Sequence, residues 1–208
     1  MDDTQWAALE SERFSLADML EGLSPDQWEQ PSLCARWRVR DVAAHVAMTP
    51  TAPTVPVLAA ALVRAGGNLW MAGARIAIDH ARRPTGTIVE ELRRDAAARA
   101  MPAITNEDNL LMDALVHGQD IAVPLGIRRP MPLDATHAGF ERVWAMGWPF
   151  HARRKMQGIR LTATDTDLSV GEGPFIEGSL GDLLLLITGR TTAALPRLRG
   201  PGVGPVPA

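Results

Sequence analysis

The spacing of apolar residues predicts a chain that is helical over about its first 150 residues. Apolar positions recur at steps of three and four between Asp3 and Leu23, which indicates an amphipathic first helix. Ser24-Pro25-Asp26-Gln27 carries a cap-type serine, a proline at the first helical position and a glutamine at the third, and predicts a second, short helix. A long helix then begins near Val39 and ends at the prolines that start with Pro50.

Further helices are predicted wherever an apolar period of three to four is bounded by a cap or a breaker. They run from Val57 to Arg82 with an interruption at Gly66-Gly67, from a capping box at Thr87 to about Ala100, from Asn106 to Pro124, and from Asp134 to the break at Trp148-Pro149.

The period changes to two after this point. Ile159, Leu161 and Ala163 alternate with polar residues, and a turn separates them from a second alternating stretch, so a β-hairpin is predicted. A third strand is predicted from Pro174 to Glu177. Ser179 with Asp182 caps a helix that runs to Ile187 and stops at Gly189.

These patterns predict a mainly α fold with a small α/β region at its C-terminal end. We place a helical domain over residues 1–150, a small α/β domain over residues 151–200 and a disordered tail over residues 201–208, where glycine and proline dominate.

Composition and charge argue against several classes of partner and indicate a cellular compartment. A net charge of -3 without a long basic block argues against nucleic acid as a partner. Arg64 and Arg75 interrupt the longest apolar candidate, Pro56 to Ile78, so no membrane span is expected. The single cysteine, Cys34, cannot form an internal disulfide, and the acidic N-terminus is unlike a signal peptide. We therefore expect a cytoplasmic protein, as a monomer or a homodimer.

One constellation of side chains could hold a metal ion. Asp113 and His117 are four residues apart on one predicted helix and therefore share a face, and His45 can add a third ligand from another helix. Imidazole and carboxylate groups suit zinc and related divalent ions, and three protein ligands leave a coordination position open for chemistry. On spacing alone, a solvated surface pair and a structural histidine are the commoner explanations.

Other sites receive less support from the residues. There is no Gly-rich phosphate loop after a strand, no G-x-S-x-G elbow and no H-E-x-x-H helix, which argues against nucleotide and hydrolase chemistry. Cys34 has no evident base beside it in sequence, so a structural thiol, buried or half-buried, is favoured over a nucleophile. His80, His137 and His151 fit ordinary surface or packing histidines.

Several segments resemble the mycothiol-dependent maleylpyruvate isomerase-like family, in the expected order along most of the chain. The segments are Trp28 with Pro31-Ser32-Leu33-Cys34, Trp37 to His45 (WRVRDVAAH), Asp113 to Ile121 (DALVHGQDI) followed by Pro124-Leu125-Gly126, and Gly178 to Arg190 (GSLGDLLLLITGR). The resemblance implies a DinB-like up-down four-helix bundle with a divalent metal, usually zinc, followed by a small α/β domain. His45 and His117 match the family's two histidine ligands, and Asp113 falls where the family commonly has glutamate.

The resemblance also implies mycothiol as a thiol cosubstrate and a small electrophilic molecule as substrate. A metal-activated thiolate would add to an activated double bond and then leave in an isomerase, or remain on the product in a transferase. Arg160 on the predicted hairpin is the nearest match to a C-terminal arginine of the isomerases, although an exposed strand arginine is the commoner explanation. Gln119 or Asp120 could orient a ligating imidazole, or simply serve the helix end. A binding or regulatory module without thiol chemistry is the alternative.

Overall fold

The computed structural model describes residues 1–51, 54–101 and 105–204. The chain divides into two compact units, Met1–Ile127 and Arg128–Ala208. Within the described ranges the first unit is helical, and the second combines helices with a three-stranded sheet. The predicted fold class, mainly α with a small α/β part at the C-terminal end, is therefore confirmed. The boundary between the units lies after residue 127. The last predicted helix before residue 150 therefore belongs to the second unit, whereas the sequence analysis had placed it in the first domain.

The first unit contains seven α-helices within the described ranges, and a short 3-10 turn, Thr49–Thr51, follows the third. The helices are α1 Asp3–Glu21, α2 Pro25–Trp28, α3 Val39–Met48, α4 Val55–Arg64, α5 Leu69–His80, α6 Thr85–Arg94 and α7 Glu107–Ala122.

Four of these helices form a bundle. Helix α1 packs against α6 and α7, and α3 packs against the same two helices, so each of the four has two neighbours in the bundle. Apolar side chains from all four helices form the core between them: Leu16, Leu20, Val42, Val46, Ile88, Leu92 and Ile121. The amphipathic patterns predicted for α1, α3 and α7 are thus the faces that the bundle buries.

Two helices begin at residues other than the predicted caps. Helix α6 has Pro84 as its N-cap where Thr87 was predicted, and α8 has Pro132 where Asp134 was predicted. In each case the proline carbonyl accepts the first helical hydrogen bond, from Ile88 N at 3.3 Å in α6 and from Thr136 N at 2.9 Å in α8. Proline already has a φ near the helical value, so it can lead into a helix without a side-chain cap.

The predicted end of α6 near Ala100 is also wrong, because the helix ends at Arg94. Arg13 of α1 is 2% exposed, and its guanidinium donates to the carbonyls of Ala96 at 3.0 Å and Ala98 at 2.8 Å. The buried guanidinium thus donates to carbonyl groups that lie beyond the helix end. In a continued helix these carbonyls would accept from backbone N–H groups instead.

The second unit packs helices against a small sheet. Its elements are α8 Leu133–Ala145, α9 Ala152–Lys155, β1 Arg160–Ala163, β2 Ser169–Gly171, β3 Phe175–Gly178, α10 Leu180–Ile187, α11 Thr191–Ala194 and a 3-10 turn, Leu195–Arg197. The sheet order is β2-β1-β3, with β1 antiparallel to β2 and parallel to β3. The predicted hairpin and third strand are therefore confirmed.

Helix α10 has both of its predicted boundaries. The Ser179 hydroxyl accepts a hydrogen bond from Asp182 N at 3.1 Å and caps the start of the helix. After the helix, Gly189 has a φ of +88°, and Arg190 N donates to Leu185 O at 2.8 Å. That left-handed residue followed by a bond back to the last turn is a Schellman motif, which favours glycine.

The start of the predicted disordered tail is ordered by the sheet. Gly202 is buried, and its N–H donates to Phe175 O at 2.9 Å. Residues 205–208 of the predicted tail lie outside the described residues.

No helix among the described residues is, by itself, long and apolar enough to cross a membrane. Helices α4 and α5 meet the length and composition test only as a pair, and they are bent by 113° at the break between them.

Burial of α3 against the bundle core predicts a stability difference between two helical valines. Val42 on α3 is 0% exposed and Val63 on α4 is 81% exposed. Val42→Ala should lower the free energy of unfolding by about 2 kcal/mol, because it removes two buried methyl groups and leaves a cavity. Urea denaturation measures this, with Val63→Ala as the matched control that stays within about 0.5 kcal/mol of the wild type. Equal losses in both variants would contradict this packing.

Candidate metal centre

The loop before α3 is fixed by a compact set of hydrogen bonds. The Ser32 hydroxyl donates to Trp37 O at 2.8 Å and accepts from Cys34 N at 3.1 Å. Leu33 N donates to the backbone oxygen of Asp120 on α7 at 3.0 Å. The loop is thus tied to itself and to α7, so it can hold Cys34 and Trp37 at defined positions.

The start of α3 is fixed by an ion pair in place of a side-chain cap. Asp41, in the first turn and 2% exposed, accepts from the backbone N–H of Arg38 at 2.9 Å. The same carboxylate receives two bonds from the Arg38 guanidinium, each at 3.0 Å. This bidentate pair satisfies the buried carboxylate and fixes the beginning of the helix that carries His45.

Helix α7 supplies most of the polar side chains of the site. Asp113, His117 and Asp120 follow one another at steps of four and three, so they project from one face of the helix. Asp120 is 0% exposed, whereas the side chain of Asp113 is 30% exposed. The face therefore runs from a closed end at Asp120 to a partly open end at Asp113.

The three predicted metal ligands come together. The Asp113 carboxylate lies between two imidazoles, with Oδ2 3.3 Å from His45 Nε2 and Oδ1 3.4 Å from His117 Nε2. One ligand atom from each residue lies within 4.8 Å of the other two. Ligands of a tetrahedral zinc with bonds of about 2.1 Å are about 3.4 Å apart, so this spacing suits such an ion.

The triad is open on one side. The side chains of His45 and Asp113 are 31% and 30% exposed, and that of His117 is 13% exposed. The Trp37 ring lies against both histidines, with centroid distances of 5.4 Å to His45 and 6.3 Å to His117. A small molecule can therefore approach the triad from the solvent side, with an indole ring as a neighbour.

A second group of possible ligands shares His117 with the triad. Asp120 Oδ2 lies 2.8 Å from His117 Nδ1 and 3.0 Å from Cys34 Sγ, while Sγ and Nδ1 are 3.7 Å apart. Cys34, His117 and Asp120 could also hold an ion by their donor types. Two of their separations, however, are those of hydrogen bonds and are shorter than the spacing of about 3.4 Å around zinc. We interpret this group as support for His117.

The hydrogen bond to Asp120 defines how His117 can act. An ionised carboxylate only accepts hydrogen bonds, so His117 Nδ1 carries the hydrogen and Nε2 faces the triad. Such carboxylate–histidine pairs fix the ring orientation and raise the basicity of the ligating nitrogen. Asp120 was one of two residues proposed from the sequence for this task, and Gln119, the other, is buried on the same helix.

The charges of the triad are strongly coupled. Burial by itself raises the pKa of Asp113, but the imidazoles of His117 and His45 reverse this and hold it well below its usual range. Burial likewise works to lower the pKa of His117, but the Asp113 and Asp120 carboxylates and the Cys34 thiol raise it well above its usual value. Without a metal, the site is thus an ion pair of a carboxylate and an imidazolium at neutral pH.

The other residues singled out in the sequence lie elsewhere. Arg160 is exposed on β1 of the second unit. His80 pairs with Glu91 at 2.6 Å and so links α5 to α6, which fits the packing role predicted for it. His137 is 40% exposed on α8 and His151 is half-buried.

The contacts of Cys34 with Asp120 and His117 could not be predicted from the sequence alone. The Cys34 thiol is half-buried, as predicted, but its neighbours Asp120 and His117 are more than 80 residues away along the chain. No local spacing links these positions. The only signal was their occurrence in two segments of the same family resemblance.

Comparison with known proteins finds a family model that matches the N-terminal part of the chain and two crystal structures of similar fold. Residues 9–109 match the family model described as "Mycothiol maleylpyruvate isomerase N-terminal domain". A search of curated proteins found no match. Two crystal structures are similar in fold: the mycothiol-dependent maleylpyruvate isomerase, with a TM-score of 0.62, and a histidine-to-alanine mutant of it, with a TM-score of 0.61.

Each of these structures is 14% identical to this chain, and each match covers 99% of this chain and 94% of the other. At that identity the likeness establishes the fold, while the family model identifies the N-terminal part of the chain. Residues 9–109 therefore resemble the N-terminal domain of mycothiol maleylpyruvate isomerase, and the described chain has the fold of the related isomerase structures.

Proposed function

We propose that this protein is a divalent-metal-dependent enzyme that uses mycothiol to isomerise, or to attach the thiol to, a small electrophilic substrate. The observation that carries the proposal is the triad of His45, Asp113 and His117, whose facing atoms are 3.3 and 3.4 Å apart and partly open to solvent. Zinc fits this set of nitrogen and oxygen donors best. The family and the fold of the related isomerase support the choice of thiol and reaction.

Each side chain of the site has a separate task in this proposal. His45, Asp113 and His117 hold the ion, and Asp120 keeps His117 Nε2 directed towards it. Aspartate reaches both histidines although it is one methylene shorter than glutamate, because its two oxygens face one imidazole each. The open side leaves room for the sulfur of the thiol.

The reactive sulfur comes from the cosubstrate. A divalent ion at this site would lower the pKa of a bound thiol, so that a thiolate is present at neutral pH. The thiolate can add to an activated carbon–carbon double bond, and loss of the same sulfur after rotation about the new single bond gives the isomer. The only thiol of the protein, Cys34, donates to the Asp120 carboxylate, with Sγ 3.0 Å from Oδ2.

Arg160 remains a proposal for contact with the substrate. It is exposed on β1, and a guanidinium can bind a substrate carboxylate through two parallel hydrogen bonds. The proposal for this residue rests on the family resemblance.

The proposal predicts the metal content of the purified protein. Protein purified without chelator and without added metal should contain close to one divalent ion per chain, as measured by mass spectrometry of the elements. His45→Ala and His117→Ala should each lose most of it, because two protein ligands bind zinc far more weakly than three. His137→Ala, which removes a histidine from the second unit, is the matched control and should keep the ion.

Activity separates the enzyme from a binding module. With mycothiol and maleylpyruvate, the wild type and His137→Ala should show metal-dependent turnover, and the two ligand variants should lose at least about a hundredfold. A wild type that stays empty after zinc, nickel and manganese are offered would refute the metal site. Bound metal without turnover or consumption of thiol, tested also with other electrophiles, would favour the non-catalytic module.

The proposal also predicts how many protons are released when zinc binds. A raised pKa means that His117 is protonated in the metal-free protein at pH 7, and a ligating imidazole must be neutral. Zinc binding should therefore release about one proton near pH 7, and affinity should fall as the pH is lowered. Calorimetry in buffers of different ionisation enthalpy measures the number released. Metal binding without proton release at pH 7 would contradict the coupling of His117 with Asp113.

A further inference from the structure

We propose that Cys34 is a positioning residue whose thiol holds Asp120, and through it His117, in the orientation needed to bind metal. The proposal rests on the metal site proposed above. The Cys34 S–H donates to Asp120 Oδ2 at 3.0 Å, and the same oxygen accepts from His117 Nδ1 at 2.8 Å.

The three groups form a short chain in which each fixes the next. Because Oδ2 accepts both bonds, loss of the thiol would remove one of the contacts that orient the carboxylate towards His117. Asp120 is 0% exposed, so bulk water cannot readily take the place of a lost donor. Hydrogen bonds in such a weakly polar interior are strong and polarise one another.

The loop of Cys34 is bound to Asp120 at a second point. Leu33 N donates to the Asp120 backbone oxygen at 3.0 Å, beside the thiol bond to the side chain. Ser32 in turn fixes the backbone of Cys34 by accepting from its N–H at 3.1 Å. Two adjacent loop residues, Leu33 and Cys34, thus bind the main chain and the side chain of Asp120.

The distances also argue against a direct role of the thiol as a metal ligand. Cys34 Sγ lies 3.7 Å from His117 Nδ1, the nitrogen that points away from the triad. Using that nitrogen for an ion would require His117 to give up its bond to Asp120 and turn Nε2–H towards Asp113. The triad arrangement leaves every one of these bonds in place.

A double-mutant cycle on zinc affinity tests the proposal. Cys34→Ala should weaken zinc binding about tenfold, the lower end of the effect expected for an outer-shell partner, and Cys34→Ser should stay within about threefold because its hydroxyl can still donate. In the Asp120→Ala background, Cys34→Ala should change the affinity by no more than about twofold, because its partner is gone. Competition with a chelating dye, on metal-free protein under reducing conditions, gives the four affinities.

Equal losses from Cys34→Ala in both backgrounds would overturn the proposal, since the thiol would then act independently of Asp120. A Cys34→Ser variant as weak as Cys34→Ala would overturn it as well, and decides the question even if Asp120→Ala fails to fold. If the wild type binds zinc and the cycle is additive, the metal site stands and only the positioning role fails. If the wild type binds no zinc, both proposals fail.

Discussion

The Asp120 carboxylate is removed from water, and it accepts hydrogen bonds from His117 Nδ1 at 2.8 Å and Cys34 Sγ at 3.0 Å. A buried charge is costly unless such partners surround it, so the partners must stay in place for the bundle to be stable. The same bonds orient His117 and join the loop of Cys34 to α7. The chemistry proposed at the exposed side of Asp113 therefore depends on the buried contacts of Asp120.

The triad itself is held by helices whose buried faces leave little freedom. Val42 and Val46 on α3 and Ile121 on α7 belong to one apolar core. That core fixes the two helices against each other, and Asp113 lies between His45 and His117. The opposite charges of Asp113 and His117 in the metal-free state help to offset the cost of their burial.

Much of the fold, and the proximity of His45, Asp113 and His117, could be predicted from the sequence for identifiable reasons. Apolar periods give helices, and residues at i and i+4, such as Asp113 and His117, share a face whatever the tertiary structure. The ends of the helices were harder to predict. Helix α6 begins after Pro84, although the sequence at Thr87 also fits a capping box. Beyond the end of the same helix, Arg13, which is distant in sequence, donates to backbone carbonyls. Contacts between distant segments, as for Cys34, have no local pattern, and the placement of Arg160 as a substrate contact stays a prediction.

The most direct test of the account is zinc K-edge X-ray absorption of the zinc-loaded protein without added thiol. If His45, Asp113 and His117 hold the ion, the first shell consists of nitrogen and oxygen at about 2.0 to 2.1 Å, with histidine scattering and no sulfur. A sulfur at about 2.3 Å would place the ion at Cys34 and contradict the account, because zinc would then occupy the group that we assign to the support of His117.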